Sequence, residues 1–392
     1  MIVGVPKESY PGERRVALVP AVIPMLAKAG LEVVIEPGAG EEAGYPDAMY
    51  SEKSAKILPD RAAVFSTADI IAQVLCYGAN DLTGKADLPL LRRNQTLIGF
   101  LRPLGAADVL QQVSATGVTS FAVELMPRTT RAQSMDALSS MATISGYKAV
   151  LVAAETSIRL FPMMTTAAGT ITPARVFIIG VGVAGLQAIS TARRLGAVAS
   201  AYDMRPAVKE QVQSLGGRFV ELAIEAQNAQ DARGYGTAQD ETFYARQREL
   251  LTRVVAETDI VITTAVIPGK KAPVLVTGEM VKKMGPGSVI VDLAAERGGN
   301  CELTQMGKTM DVNGVSIIGP VNLASTVPFH ASQMYSRNLT SFLTNLVKDG
   351  KVRPPESDDI IRETLLTQGG EIVNARVREF LKLPALVPST QG

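Results

Sequence analysis

The sequence predicts an α/β protein made of two Rossmann-like domains with parallel sheets, linked by long helices. Three observations support this fold class. The chain has 392 residues, enough for two domains. Short apolar segments rich in β-branched residues alternate with helical patterns, which is typical of parallel sheets covered on both faces. A glycine-rich turn joins one of these segments to a helical pattern, as in a dinucleotide-binding unit.

The order of the elements predicts where the domains begin and end. Strands are expected at residues 2–6, 31–35, 69–74 and 96–100, with a helix at 21–29. A long helix is expected from about residue 136 towards 160. A second α/β unit follows, with strands at 176–179, 199–202, 260–264, 288–293 and 316–318. Because that unit already has a full set of strands, the helical segment 330–348 is expected to return to the first domain. The predicted domains are 1–136 plus 330–392, and 137–329.

Composition excludes several functional classes. Lys+Arg 39 against Asp+Glu 38 leaves a net charge of +1, so no nucleic-acid-binding surface is expected. One histidine and two cysteines argue against zinc sites, His-based triads and a disulfide framework, so no metal site is predicted. Residues 176–192 and 312–336 lack charges over nearly the length of a membrane span or more, but glycines, prolines and polar side chains interrupt them. The N-terminus lacks the basic and apolar regions of a signal peptide. We therefore expect a soluble, cytoplasmic chain.

The strongest motif is Gly180-Val-Gly182-Val-Ala-Gly185. It follows a predicted strand and opens a helix, and the next strand ends at Asp203. In such units the glycines allow a tight turn and close approach of a pyrophosphate to the helix N-terminus. Asp203 is placed to accept hydrogen bonds from the adenine ribose and to repel a 2′-phosphate, which predicts NAD(H) rather than NADP(H). The alternative is a glycine-rich turn that binds no nucleotide.

Other residues extend this predicted site. The strand 260–264 and the turn at Pro268-Gly269 are expected beneath the nicotinamide, although alone they indicate only a tight strand–loop. The segment 227–240 has the composition of a mobile loop. Arg205 is expected to cover the adenine or to point to solvent. The full predicted cofactor set is Gly180, Gly182, Val183, Ala184, Gly185, Asp203, Met204, Arg205, Gly234, Tyr235, Gln247, Thr264 and Ala265.

A polar segment at 128–140 allows two interpretations. Residue types alone favour a solvated helix start, with Ser134 or Asp136 as the N-cap. The same segment could instead carry function. An acid–base residue of the kind that dehydrogenases use is missing from the chain, because His330 is far from the glycine motif and is expected in the core or at a helix cap.

These motifs together resemble a known family. Residues 6–8, 13–17, 128–136 and 180–187 are similar to the NAD(H)-binding component (domain I of the alpha subunit) of bacterial proton-translocating NAD(P) transhydrogenase. Residues 161–164, 167–169, 209–212, 214–217, 291–294 and 298–300 extend the match across nearly the whole chain. The resemblance implies the fold shared with alanine dehydrogenase.

The alanine dehydrogenase pattern is only partly present. That enzyme handles its substrate with an arginine, a lysine, a histidine and an aspartate. Arg15 matches the arginine, but the strand 72–75 has no lysine. Arg102 stands in place of the histidine, and Glu296 in place of the aspartate. Three of the four positions therefore depart from the pattern.

The resemblance implies direct hydride transfer from NADH on this chain to NADP⁺ on a partner subunit, in an enzyme of the Si/Re-specific type. It assigns Gln133 to hold the partner and the ribose in register. Arg128 and Asp136 would fix the nicotinamide carboxamide, Ser139 would add a hydrogen bond there, and Tyr235 would close over the nucleotide.

The implied partners are a second copy of the chain, the membrane-spanning subunits that couple transfer to proton movement, and the NADP(H)-binding domain. Because this chain ends at Gly392 without a spanning helix, those other components are expected on separate polypeptides. The chain would then be peripheral on the cytoplasmic face of the inner membrane. The alternatives are a soluble alanine dehydrogenase-like enzyme and a non-catalytic NAD-binding protein.

Overall fold

The computed structural model describes residues 1–222 and 239–384. The chain divides into two compact units, Met1–Met141 with Ser325–Gly392 and Ala142–Ala324. Up to residue 141 the chain alternates strands with short helices. These elements are β1 (Ile2–Val5), α1 (Ile23–Lys28), β2 (Glu32–Ile35), α2 (Asp47–Ser51), β3 (Lys56–Ile57), α3 (Arg61–Thr67), β4 (Ile70–Leu75), β5 (Thr96–Phe100), α4 (Ala107–Ala115) and β6 (Thr119–Ala122).

Helix α5 (Ala137–Thr156) begins in the first unit and continues into the second. The second unit then contains β7 (Met164–Thr166), β8 (Gly169–Ile171), β9 (Arg175–Ile179), α6 (Val183–Arg194), β10 (Val198–Tyr202), α7 (Lys209–Ser214), β11 (Arg218–Phe219), α8 (Glu241–Ala256), β12 (Ile260–Thr263), α9 (Gly278–Val281), β13 (Val289–Asp292), β14 (Thr309–Val312) and β15 (Val315–Ile318).

The last segment of the chain belongs to the first unit. It contains α10 (Pro328–Leu346), β16 (Val347–Lys348), β17 (Lys351–Val352), α11 (Asp359–Thr364), β18 (Leu365–Gln368), β19 (Glu371–Ile372) and α12 (Ala375–Phe380). Helix α10 holds the N-terminal segment, because Ser332 and Ser336 accept hydrogen bonds from the backbone N–H groups of Val16 and Val19, both at 3.0 Å.

The first unit is built on an eight-stranded sheet with the order β19-β18-β6-β5-β4-β1-β2-β3. The strands from β6 to β3 run parallel, whereas β18 pairs antiparallel with both β6 and β19. Nearly all residues of β4 and β5 are buried, as expected for strands covered on both faces. The returning chain therefore completes the sheet that the first 141 residues begin.

The second unit is built on a seven-stranded sheet with the order β11-β10-β9-β12-β13-β15-β14. All pairs are parallel except β14 with β15. Leaving aside the antiparallel edge strand, this is the doubly wound order of a Rossmann fold, in which the chain reverses direction between β9 and β12. A ligand crevice is expected at that reversal, outside the carboxyl ends of the two strands.

Helix α5 is the one helix, within the described residues, that is long and apolar enough to cross a membrane by length and composition. Its Ala149, Val150 and Ala153 are fully buried in the hydrophobic core of the second unit. Core helices of soluble proteins have the same composition, so the finding carries no membrane assignment. The helix ends at Thr156 rather than near residue 160, and the following residues form the β7–β8 hairpin, which the sequence pattern did not predict.

Candidate dinucleotide site

The glycine motif lies at the carboxyl end of β9, where the sheet order reverses. Gly180 has φ +96, and a Cβ there would lie 2.7 Å from Thr264 Oγ1. A Cβ on Gly185 would lie 2.0 Å from the carbonyl oxygen of Gly180. Both positions therefore require glycine for the packing of the protein itself.

Gly182 differs from these two glycines, because a Cβ at this position would meet nothing within 4 Å. It is the N-cap of α6, and no side chain among the described residues caps the helix there. The N–H groups of the first turn, which includes Val183 and Ala184, thus begin a helix whose positive end borders an open space. An anionic pyrophosphate fits this arrangement.

Gly146 on α5 is a supporting residue that sequence reasoning missed. A Cβ at this position would lie 2.1 Å from the carbonyl oxygen of Ala184. The glycine therefore lets the backbone of α5 pack against the start of α6. An isolated glycine inside a long helical pattern was the available signal.

Asp203 follows the end of β10, next to the glycine motif. Its Oδ2 accepts a hydrogen bond from the backbone N–H of Val181 at 2.7 Å. Arg205 donates from Nε to Oδ1 and from Nη2 to Oδ2, both at 2.8 Å. The expectation that Arg205 covers the adenine or points to solvent is wrong in this structure, because its guanidinium is 15% exposed and paired with Asp203. A bidentate carboxylate partner two residues away outweighs an exposed position.

Two other predicted cofactor residues pack near the end of β10. Met204 is half-buried against the core cluster that contains Tyr202. Gln247 on α8 is 1% exposed and donates from Nε2 to the Tyr202 hydroxyl at 2.9 Å. In this structure Gln247 therefore joins α8 to the sheet. Gly234 and Tyr235, and nearly all of the predicted mobile loop, lie outside the described residues.

Thr264 and Ala265 lie immediately after β12, on the other side of the reversal. Thr264 Oγ1 donates to the carbonyl oxygen of Gly180 at 2.9 Å. The backbone N–H of Ala265 donates to Asn300 Oδ1 at 2.9 Å. The structure thus brings both residues together with the first glycine, and it adds Asn300, which sequence reasoning did not select as a site residue.

The predicted catalytic segment lies in the first unit and is firmly anchored there. Thr130–Met135 is a 3-10 helix in which Ala132 and Met135 are buried. Arg131 makes two hydrogen bonds with Asp358, at 2.7 and 2.9 Å, which hold the pKa of that carboxyl well below its usual range. Between these anchors the side chains of Arg128 and Gln133 are exposed.

Asp136 and Ser139 interact with each other at the start of α5. Asp136 Oδ1 accepts from the backbone N–H of Ser139 at 2.9 Å, and Oδ2 accepts from its hydroxyl at 2.6 Å. This is the geometry of a helix N-cap, so the capping interpretation holds for Asp136. Ser134 is exposed, and its carbonyl oxygen accepts from Asn338 Nδ2 at 2.9 Å.

The positions that correspond to alanine dehydrogenase are occupied by other contacts. The Arg15 side chain is 3% exposed and paired with Glu13. Arg102 has φ +49 and lies near Asp81, with an N–O distance of 3.3 Å. Glu296 accepts from the backbone N–H of Asn322 at 2.6 Å. His330, expected in the core or at a cap, is exposed in the first turn of α10, where its ring contacts Phe329.

Two carboxyl groups of the first unit are strongly perturbed by burial. Glu8 accepts from the backbone N–H groups of Val74 and Leu75, yet desolvation, with Glu13 nearby, raises its pKa to about 8. Glu124 accepts from the N–H groups of Leu101 and Arg102, and burial raises its pKa to about 7. Neither group belongs to the predicted site. They make the stability of this unit sensitive to pH.

Comparison with known proteins agrees with this geometry. Residues 4–145 match the family model "Alanine dehydrogenase/PNT, N-terminal domain", and residues 149–375 match "Alanine dehydrogenase/PNT, C-terminal domain". The first of the polypeptides that make up NAD(P) transhydrogenase subunit alpha in Rhodospirillum rubrum is 45% identical over 377 residues, covering 95% of this chain and 98% of the relative.

A solved structure and a second relative place the chain further. The crystal structure of transhydrogenase from Sinorhizobium meliloti matches with a TM-score of 0.82 and 42% identity, covering 96% of this chain and all of that one. Alanine dehydrogenase of Mycolicibacterium smegmatis is 28% identical over 392 residues, covering 98% of both proteins. The similarity favours the transhydrogenases over the alanine dehydrogenases, and the chain belongs to the alanine dehydrogenase/PNT family.

Proposed function

We propose that this chain is the NAD(H)-binding component of a proton-translocating NAD(P) transhydrogenase. The observation that carries the proposal is the open space at Gly182, at the point where the sheet order reverses and a helix N-terminus begins. Transhydrogenase relatives, at up to 45% identity, share this whole chain. The residues present fit an NAD(H) molecule, with the pyrophosphate at Gly182 and the first turn of α6, and the adenine ribose near Asp203.

The protein's own task in this proposal is to position the dinucleotide. NADH, when bound, supplies the hydride. Thr264 and Ala265 form the wall on the nicotinamide side, held to Gly180 and Asn300 by hydrogen bonds. No proton leaves either carbon that exchanges hydride, so the reaction asks for no general base at that point. Orientation alone can contribute on the order of 7 to 11 kcal/mol to such a step.

Arg128, Gln133, Asp136 and Ser139 are the residues to which we assign this orientation. The buried side chains of Ala132 and Met135, together with the Arg131–Asp358 pair, hold the segment while Gln133 is exposed to a ligand or partner. Asp136 and Ser139 are fixed by their mutual hydrogen bonds. The helix cap therefore also serves as a rigid support for the functional side chains.

The partners follow from the same proposal. The relatives are named as a transhydrogenase subunit, so we assign NADP(H) to a partner subunit and proton movement to membrane subunits, with this chain on the cytoplasmic face. Transfer is assigned to the Si/Re-specific type. A homodimer is supported by the β7–β8 hairpin region, where Ile158, Met163, Met164 and Ile171 are 42–78% exposed. Apolar groups of this kind are typical of a surface covered by another chain.

A soluble alanine dehydrogenase is the second candidate, supported by the shared fold and by Arg15. It is disfavoured because Leu75 and Gln73 lie on the strand that should carry the lysine, and Arg102 replaces the histidine. Oxidation of an amine needs a group that accepts a proton near the nicotinamide.

The two candidates are separated by assaying the purified chain first with alanine and NAD⁺, and with pyruvate, ammonia and NADH. We expect no turnover. The same chain should reduce NADP⁺ with NADH once the purified NADP(H)-binding domain of the partner subunit is added. Turnover with alanine would establish the second candidate, and inactivity in both assays would leave only a nucleotide-binding protein.

A further inference from the structure

Asn300 makes an unusually complete set of contacts with the loop that follows β12. Its Oδ1 accepts from the backbone N–H of Ala265 at 2.9 Å. Its Nδ2 donates to the carbonyl oxygens of Ala265 at 2.8 Å and of Pro273 at 2.9 Å. The amide thus pairs with both backbone groups of one residue, and Asn300 is fully buried. Such a contact fixes the position of the Ala265 backbone.

The backbone of Asn300 is itself held by Asp292, the last residue of β13. This buried carboxylate accepts from the N–H groups of Asn300 at 2.7 Å and of Cys301 at 2.9 Å. The hydroxyls of Thr263 and Thr304 also donate to it, at 2.8 and 2.7 Å. A fully bonded buried carboxylate is rigid, so Asn300 is positioned by the sheet.

Two glycines allow the chain to return to β12 in this way. Gly298 and Gly299 have φ +94 and +81, a conformation that other residues rarely adopt. A Cβ on Gly299 would also lie 2.9 Å from Asp292 Oδ2. The turn places Asn300 beside the loop after β12, which is bonded to the first glycine of the motif through Thr264.

We propose that Asn300 is a positioning residue for the nicotinamide half of the dinucleotide. This inference rests on the proposed function. By fixing Ala265, Asn300 sets the wall against which the nicotinamide lies, whereas the pyrophosphate and ribose contacts at Gly182 and Asp203 do not depend on it. Asn300 has no direct role in hydride transfer.

The proposal is tested by measuring the affinities of the isolated chain for NADH and for ADP-ribose, which lacks the nicotinamide. Calorimetry gives both dissociation constants, and the emission of bound NADH reports on the surroundings of the dihydronicotinamide. In Asn300→Ala and Asn300→Ser we expect the Kd for NADH to rise about ten-fold, with a shifted emission maximum. The Kd for ADP-ribose should change by less than about two-fold.

The matched control is Asn374→Ala in the first unit. Asn374 makes the same set of contacts, accepting from the N–H of Val377 and donating to the carbonyl oxygens of Glu363 and Leu365. This variant loses equivalent buried hydrogen bonds and should leave both affinities unchanged. Parallel weakening of NADH and ADP-ribose in both Asn300 variants would show a merely structural role and overturn the proposal, as would unchanged NADH binding and emission.

These measurements do not require the partner subunit. A normal affinity pattern together with no hydride transfer in the reconstituted complex would contradict the proposed function and leave the positioning role of Asn300 intact.

Discussion

The guanidinium of Arg205 occupies both carboxylate oxygens of Asp203, with N–O distances of 2.8 Å on each side. The backbone N–H groups of Val181 and Arg205 donate to the same carboxylate. Four donors fill the roughly four acceptor positions of a carboxylate. A ribose hydroxyl can therefore bind Asp203 only by displacing one of these bonds.

Asp203→Ala should weaken NADH binding more than NADPH binding. The substitution removes the charged acceptor of the ribose hydroxyls, a loss of roughly 1.5–3 kcal/mol, and it frees Arg205 near the site of a 2′-phosphate. Titration by nucleotide fluorescence measures both affinities, since the chain has no tryptophan. Asp259→Ala is the control, because Asp259 contacts Arg175 at the opposite end of β9. Equal losses for the two nucleotides would contradict the assignment of Asp203.

Gly182→Ala should fold normally and bind NADH poorly. A Cβ at this position meets no protein atom within 4 Å, so the melting temperature should stay the same, but the methyl group would fill the space assigned to the pyrophosphate. We expect the Kd for NADH to rise on the order of ten-fold or more. Gly285→Ala adds a methyl group that is equally free of contacts and serves as the control. Wild-type affinity in Gly182→Ala would show that the open space does not hold the nucleotide.

Glu124→Gln should reduce the loss of stability that accompanies rising pH. Burial raises the folded-state pKa of Glu124 to about 7 from its ordinary 4.5. The folded protein therefore binds more protons than the unfolded chain between these values, and its stability falls as pH rises through that range. Glutamine cannot ionise, so the melting temperature should fall less between pH 5 and 8, by at least ~2 °C.

Some of the slope should remain in Glu124→Gln, because Glu8, with a pKa of about 8, has the same sign. Glu52→Gln changes an exposed carboxylate and should leave the profile of the wild-type protein unaltered. A wild-type slope in Glu124→Gln would mean that Glu124 is ionised at neutral pH despite its burial.

Local sequence patterns were sufficient for most strands and for the glycine motif. Buried parallel strands such as Thr96–Phe100 are continuous apolar runs, and glycines mark the turns that need them. Side-chain pairing was beyond such reasoning. The contact of Asn300 with Ala265 joins residues 35 positions apart, and the pairing of Arg205 with Asp203 depends on the exact turn after β10. The exposed hairpin at β7–β8 has no buried face, so hydrophobic periodicity could not reveal it.

Gln133→Asn should slow hydride transfer while leaving NADH affinity nearly unchanged. The substitution keeps the amide but shortens its reach by one methylene, and a displacement of about 1 Å can reduce the rate on the order of 10²-fold. The rate is measured in the complex reconstituted with the partner subunit, alongside thermal unfolding of the variant. Gln111→Asn makes the same change at an exposed position of α4 and should transfer hydride normally. A normal rate in Gln133→Asn would leave the segment as a helix start without a catalytic role.

Direct transfer of hydride from a nicotinamide on this chain to one on the partner is the central claim. The measurement that tests it most directly uses NADH carrying deuterium stereospecifically at C4, mixed with this chain, NADP⁺ and the NADP(H)-binding domain in ordinary water. Mass spectrometry and NMR of the product then give the amount and the face of the label. We expect the NADPH formed to carry the deuterium from one face of NADH, without loss to solvent. Formation of unlabelled NADPH, with the deuterium released into water, would contradict direct transfer.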